Sequence, residues 1–171
     1  VVALVDLLVK IEDGDKEAAG LLMARRDDAL SSRFLAMLCA ESLIACGHPA
    51  EAGELLARCA AAFGSDQRHQ QLAALVLSRT GRLEEAVTAA GRLPQRYPDD
   101  DETAGIAGGI YKRRWDRDAT QTKALAKAHE LYRKQWEKGK KINAYLGVNA
   151  AATALYLGDA EGARAIAGAV A

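Results

Sequence analysis

A glycine followed five residues later by an alanine recurs at Gly47/Ala52, Gly81/Ala86 and Gly158/Ala163. The first two pairs lie 34 residues apart, and the third lies 77 further on, which is two such periods plus nine residues. A beat of this length constrains the chain more than any local pattern does. Each period must be one supersecondary unit that cannot bury its apolar face alone and stacks on the next. In a helix–turn–helix unit the glycine suits the left-handed turn after the first helix. The alanine marks a place where two helices approach closely, and a bulky side chain there would push them apart.

Composition agrees with helices throughout. Half of the residues are hydrophobic but only 5% are aromatic. Alanine and leucine carry the apolar content, and both are strong helix formers. β-Branched runs and hairpin dipeptides are nearly absent. Period and composition together predict an all-α, tetratricopeptide-like right-handed solenoid of helical hairpins.

With Gly47 as position 15 of a 34-residue unit, the repeats fall at about 31–65, 66–98, 99–139 and 140–171. A partial repeat covers about 11–30, where Ala18 lies 34 before Ala52 and Gly14 is one residue out of register. Helices are expected over about Ser31–Cys46, Pro49–Phe63 and Asp66–Thr80, then from Leu83 to near Tyr97-Pro98. Pro49 suits a first helical turn and Pro98 a helix end. The third unit starts behind the acidic run Asp99-Asp100-Asp101-Glu102, which favours a helix N-terminus. It must also absorb the nine extra residues near Asp116-Arg117-Asp118, as a longer loop or as extended helices. Its second helix is read from Lys123 to about Lys138. The fourth unit covers Ile142–Leu157 and Asp159–Ala171. Ala40, Ala74, Gly108 and Ala151 share one repeat position, and Ala52, Ala86 and Ala163 another. Every junction is a short turn, so residues 1–171 are expected to form a single solenoid. The missing initiator methionine and the apolar, uncapped Ala169-Val170-Ala171 read as a fragment of a longer protein, with flanking domains of the same chain as partners.

The net charge is zero, yet residues 112–141 carry eleven Lys/Arg against four Asp/Glu. That basic stretch admits a nucleic-acid or other polyanion partner. The plainer reading is two long helices with solvated basic faces, which makes nucleic acid the less expected partner. Cys39, Cys46 and Cys59 include no C-x-x-C, and His48, His69 and His129 are scattered, so neither a disulfide framework nor a metal site is expected. The cysteines read as small core residues of a reducing, cytoplasmic compartment. No run of about 20 apolar residues spans a membrane.

No enzyme is expected. Ser31, Ser32, Ser42 and Ser78 lack a G-x-S-x-G context and a neighbouring base. Glu41, in an otherwise apolar helix, reads as facing a groove or pairing with a neighbour. Gly105, Gly108 and Gly109 have no strand before them and no Gly-Lys-Ser/Thr after, so they read as close helix contacts. His129 reads as solvated, His48 as a turn residue, and Trp115 and Trp136 as core. No cofactor is implied.

Binding is the better class. The inner face of such a repeat is lined by first-helix positions 2, 5, 9, 12 and 13. These are Phe34, Met37, Glu41, Ile44 and Ala45 in one unit and Arg68, Gln71, Leu75, Ser78 and Arg79 in the next. The third gives Glu102, Gly105, Gly109, Lys112 and Arg113, and the fourth Tyr145, Val148, Ala152, Leu155 and Tyr156. With Asn149 as the lone match to a carboxylate clamp, the candidate partner-binding groove is Arg68, Gln71, Arg79, Lys112, Arg113, Tyr145 and Asn149. It is basic in the middle and apolar at its ends. A protein or peptide both acidic and partly hydrophobic would fit it.

The second half is more specific. Thr103–Trp115 with its Ile110-Tyr111-Lys112, Ala128–Lys134 with its Tyr132-Arg133-Lys134, and Tyr145–Ala151 with its Gly147-Val148-Asn149-Ala150-Ala151 occur in order. Over roughly residues 100–165 the chain resembles the TRAFs-binding domain family, found in apoptosis signal-regulating kinases and in many bacterial proteins. Gly109 and Leu146 depart from that pattern, where a larger residue and a proline are expected. The resemblance implies a regulatory or scaffolding interaction module in an intracellular signalling system, and the alanine-rich sequence looks bacterial. A small-ligand sensor or enzyme accessory domain is a further alternative, which requires a closed polar pocket.

Overall fold

The computed structural model describes residues 2–12 and 16–170. Among them every regular element is a helix. They fall into two compact units, Val1–Gly81 and Arg82–Ala171.

The first unit contains α1 (Val2–Glu12), α2 (Lys16–Ala24), a 3-10 turn (Arg26–Ser31), α3 (Arg33–Ala45), α4 (Pro49–Phe63) and α5 (Gln67–Arg79). Local chemistry sets these boundaries. The Ser32 hydroxyl accepts from the Leu35 N–H at 3.1 Å and caps α3, while Pro49 opens α4. The Asp66 carboxylate accepts from the His69 N–H at 2.9 Å and caps α5. Unpaired N–H groups at a helix start are stabilised by such acceptors, by about 1 kcal/mol each. The core is aliphatic: Leu35, Cys39, Leu43, Leu55, Leu56, Cys59 and Leu72 pack with Ala40 and Ala52. Ala18 is buried as well. Gly14 lies outside the described residues. Arg33 ties three segments together, its guanidinium donating to the Asp66 carboxylate and to the Phe63 carbonyl.

The second unit contains α6 (Leu83–Arg96), α7 (Asp101–Arg117), α8 (Thr122–Lys138), α9 (Ala144–Tyr156) and α10 (Ala160–Val170). Gly47, Gly81 and Gly158 all have positive φ, between 85° and 89°. An L side chain there would meet its own backbone, which explains why the beat is kept by glycine. The nine extra residues went largely into helix. Both α7 and α8 run 17 residues, against 14 for α6 and 13 for α9. The turn joining α7 to α8 is held by the Asp118 carboxylate, which accepts from the Thr120 N–H, the Thr120 hydroxyl and the Gln121 amide.

Here the core is aromatic. Tyr132 and Trp136 on α8 are almost fully buried, and each ring lies against a glycine. A Cβ at Gly108 would sit 2.7 Å from the Tyr132 ring, and one at Gly147 would sit 2.7 Å from Trp136 Nε1. The close helix contacts expected of Gly105 and Gly108 are therefore present, with Tyr145 covering Gly105. Asp101 adds a polar tie: one carboxylate oxygen accepts from Gln135 Nε2 at 2.8 Å and the other from Asn143 Nδ2 at 2.9 Å.

Three expectations need correction. His129 is half-buried, with Nδ1 at 3.1 Å from both the Ala150 carbonyl and the Thr153 hydroxyl, so it joins α8 to α9 instead of facing water. Cys46 is exposed, whereas Cys39 and Cys59 are buried. It follows the last residue of α3, beyond the part of the helix that packs. Burial pushes the Cys39 thiol up to about 11. Trp136 is core as expected, but Trp115 is only half-buried. It lies near the end of α7 among Arg114, Asp116 and Arg117, charges that mark a helix face reaching solvent.

Candidate functional site

In α9 the inward positions Leu146, Gly147, Ala150, Thr153 and Ala154 are buried. The outward ones are apolar too: Tyr145, Val148, Leu155 and Tyr156 are 59%, 57%, 57% and 53% exposed. A helix apolar all round has an unused face, and such a patch on a water-facing surface marks an interaction site. On α7 the Trp115 ring stacks on Tyr156 at 5.2 Å between centroids. Lys112 Nζ lies 5.9 Å from the Tyr156 ring centre and 3.2 Å from the Asp116 carboxylate. Tyr145 meets Tyr132 edge-on at 6.3 Å. Burial, then the contact with Tyr145, pushes the Tyr132 phenol up, so it is held neutral. The second unit thus carries a face of four exposed apolar side chains edged by a stacked tryptophan and a lysine.

Of the residues expected in a groove, Lys112 contributes to this face through its contact with Tyr156, and Tyr145 through its own exposure. Asn149 is half-buried and its amide donates to the Tyr145 carbonyl one turn back on its own helix, at 2.8 Å. Arg113 is half-buried. In the first unit, Arg68 donates to the Glu41 carboxylate and to Gln71 Oε1. Glu41 thus pairs with a neighbour, one of the two roles foreseen for it. Gln71 itself is buried, as are Met37, Ile44 and Ser78, while Phe34 and Arg79 are exposed. Met37 and Ile44 belong to the aliphatic core, where α5 packs on α3. One positional rule therefore yields an open face on α9 and a partly covered one on α3, where Met37 and Ile44 are buried while Phe34, Glu41 and Ala45 are exposed. Trp115, read from the sequence as core, instead edges this face, and its charged neighbours were the available signal.

The basic stretch is partly neutralised. Lys112 pairs with Asp116, Lys127 with Glu130 and Arg133 with Glu137. Arg114 and Lys138 reach Glu84 and Asp99, which lie outside the stretch. Among the described residues no group of three or more His, Cys, Asp or Glu could hold a metal ion. Among the described residues no helix is long and apolar enough to cross a membrane.

A family model described as Tetratricopeptide Repeats-Sensor matches residues 48–155. Human IFIT1, solved as a dimer with PPP-AAAA, superposes with a TM-score of 0.70 at 17% identity. The match covers 81% of this chain and 32% of that one, so the chain spans about a third of its length. MamA from AMB-1 superposes with a TM-score of 0.56 at 14% identity, over 99% of this chain and 88% of that one. MamA from MSR-1 gives 0.58 at 13%, over 95% and 94%. At these identities the likeness shows the fold alone, an all-α array of tetratricopeptide-like hairpins. No curated protein sequence matches the chain.

Proposed function

The chain belongs to the Tetratricopeptide Repeats-Sensor family, and from that premise we propose that it is a non-catalytic module for regulatory or scaffolding protein–protein interaction. The observation that carries this reading is the face of Tyr145, Val148, Leu155 and Tyr156 on α9, continued by Trp115 and Lys112 on α7. Rigid aromatic side chains contribute most of the binding energy in protein interfaces, and a flanking cation selects and orients the partner. The partner chemistry that fits is a peptide or helix with an apolar anchor and acidic flanks. The TRAFs-binding likeness of residues 100–165 supports a place in a signalling system, and the word sensor in the family's description supports a regulatory one. Arg113 on α7 and Asn149 on α9 complete the set proposed to line this face, whereas Arg68, Gln71 and Arg79 belong to α5 of the first unit, where Gln71 is buried.

Capture of partners on immobilised protein tests the reading when wild type is compared with a Lys112→Glu/Arg113→Glu double variant. Partners held by this face are lost from the variant. Equal recovery from both would refute the placement. The alternative is binding of a polyanion through residues 112–141, and the structure of human IFIT1 with PPP-AAAA is what supports it. It requires affinity that falls steeply with salt and with charge reversal at Arg113, Arg114, Lys140 and Lys141. The five ion pairs within and around the stretch make it the weaker reading.

A further inference from the structure

Within the second unit, α6, α7 and α8 line a cleft of about 340 Å³. Its α7 residues are Thr103, Ala104 and Tyr111. At about 100° per residue these lie on the opposite side of that helix from Gly105, Gly109 and Lys112. The cleft is therefore separate from the α7–α9 face. Gly91 opens it: a Cβ there would stand 3.3 Å from the Tyr111 hydroxyl. Pro94, Tyr97 and Pro98, at the end of α6, line it together with Tyr111 and Leu131.

The polar rim is mostly spoken for. Lys127 donates to both Glu130 oxygens, at 3.0 and 2.9 Å. The Asp100 carboxylate caps α7 by accepting from the Thr103 N–H, and the Gln135 amide is committed to Asp101. Lys134 is exposed and has no ion-pair partner among the described residues. The cleft thus offers the ring side chains of Pro94, Tyr97, Pro98 and Tyr111 with Leu131, and one positive charge not already paired. Its size falls in the range of small-molecule pockets, roughly 300–1,000 Å³.

We propose that this cleft binds a small organic anion with a flat apolar body. The body lies against Tyr97, Pro98 and Leu131, and its carboxylate, sulfonate or phosphate pairs with Lys134. The proposal is independent of the protein-binding face. A titration with 1-anilinonaphthalene-8-sulfonate, a flat anion that fluoresces when shielded from water, tests it.

Saturable binding to one site is expected, weakened about tenfold by Lys134→Glu and by Tyr97→Ala. It should be unchanged in a Leu155→Ser/Tyr156→Ser variant of the α9 face. Lys134 is exposed, so its reversal leaves the fold intact. 2-Naphthoate should displace the dye, and inorganic phosphate at equal concentration should not. Absence of saturable binding overturns the proposal, as does unchanged affinity in Lys134→Glu. Loss confined to the α9 variant overturns it too, by assigning the dye to that face. Displacement by phosphate alone would remove any role for the ring side chains and overturn it likewise.

Discussion

The two units use one hairpin plan with different packing chemistry. In the first, helices of 13–15 residues meet through leucines, cysteines and alanines. In the second, the 17-residue α8 lays its rings on glycines of both neighbours, Tyr132 on Gly108 of the equally long α7 and Trp136 on Gly147 of α9. The position held by Ala40 and Ala74 in the first unit is held by Gly108 in the second. A methyl group there packs well against aliphatic neighbours but would collide with a ring. The contrast teaches that the irregular repeat is a coupled change of helix length, aromatic core and glycine spacing. That same unit shows aromatic side chains to solvent at Trp115, Tyr145 and Tyr156.

Substitutions can break the contrast, and the largest effect is expected at Trp136. Trp136→Ala empties the aromatic core and should cost about 4 kcal/mol in denaturant unfolding. Gly108→Ala comes next. The clash with Tyr132 outweighs the helix propensity gained, for a net loss of about 1–2 kcal/mol. The identical change at Gly20, a helical glycine of the first unit with nothing within 4 Å, should instead stabilise by about 1 kcal/mol. Opposite signs for one substitution would confirm that ring contact, not helix propensity, sets glycine in the second unit. Equal signs would remove that account.

Smaller effects sharpen the picture. Lys140 and Lys141 close α8 with positive φ, 54° and 64°, while the adjacent Gly139 has negative φ. Lys140→Gly should relieve this and stabilise by about 0.5–1 kcal/mol. Cys39 has a folded-state pKa raised by burial from its ordinary value of 9.0 to about 11. The unfolded chain therefore releases that proton first. The contribution of Cys39 is fully present below pH 9 and declines as pH rises from 9 towards 11. Cys39→Ala should flatten that alkaline loss. In the native state near pH 8, a thiol reagent should label Cys46 alone.

Much of the fold was legible because periodicity encodes geometry directly. Gly47, Gly81 and Gly158 mark left-handed turns, and α4 spans the residues that Pro49 and Phe63 bracket. The extra nine residues could be located near Asp116–Asp118, but not assigned to helix or loop. The site was legible only in part. Met37, Ile44 and Gln71 occupy the same repeat positions as exposed residues of α9 yet are buried. Burial depends on which helix lies opposite, and a positional rule carries no such information. His129 was misjudged for the same reason: Glu130 and Lys127 are its neighbours along the chain, while Ala150 and Thr153 face it across the hairpin.

The central claim is that the α7–α9 face binds a protein partner. Its most direct test is the affinity of a captured partner for a Leu155→Ser/Tyr156→Ser variant, measured by titration calorimetry with thermal stability recorded alongside. Both side chains are more than half exposed, so the melting temperature should hold while affinity falls about tenfold or more. Unchanged affinity in a variant that melts as wild type does would contradict the account.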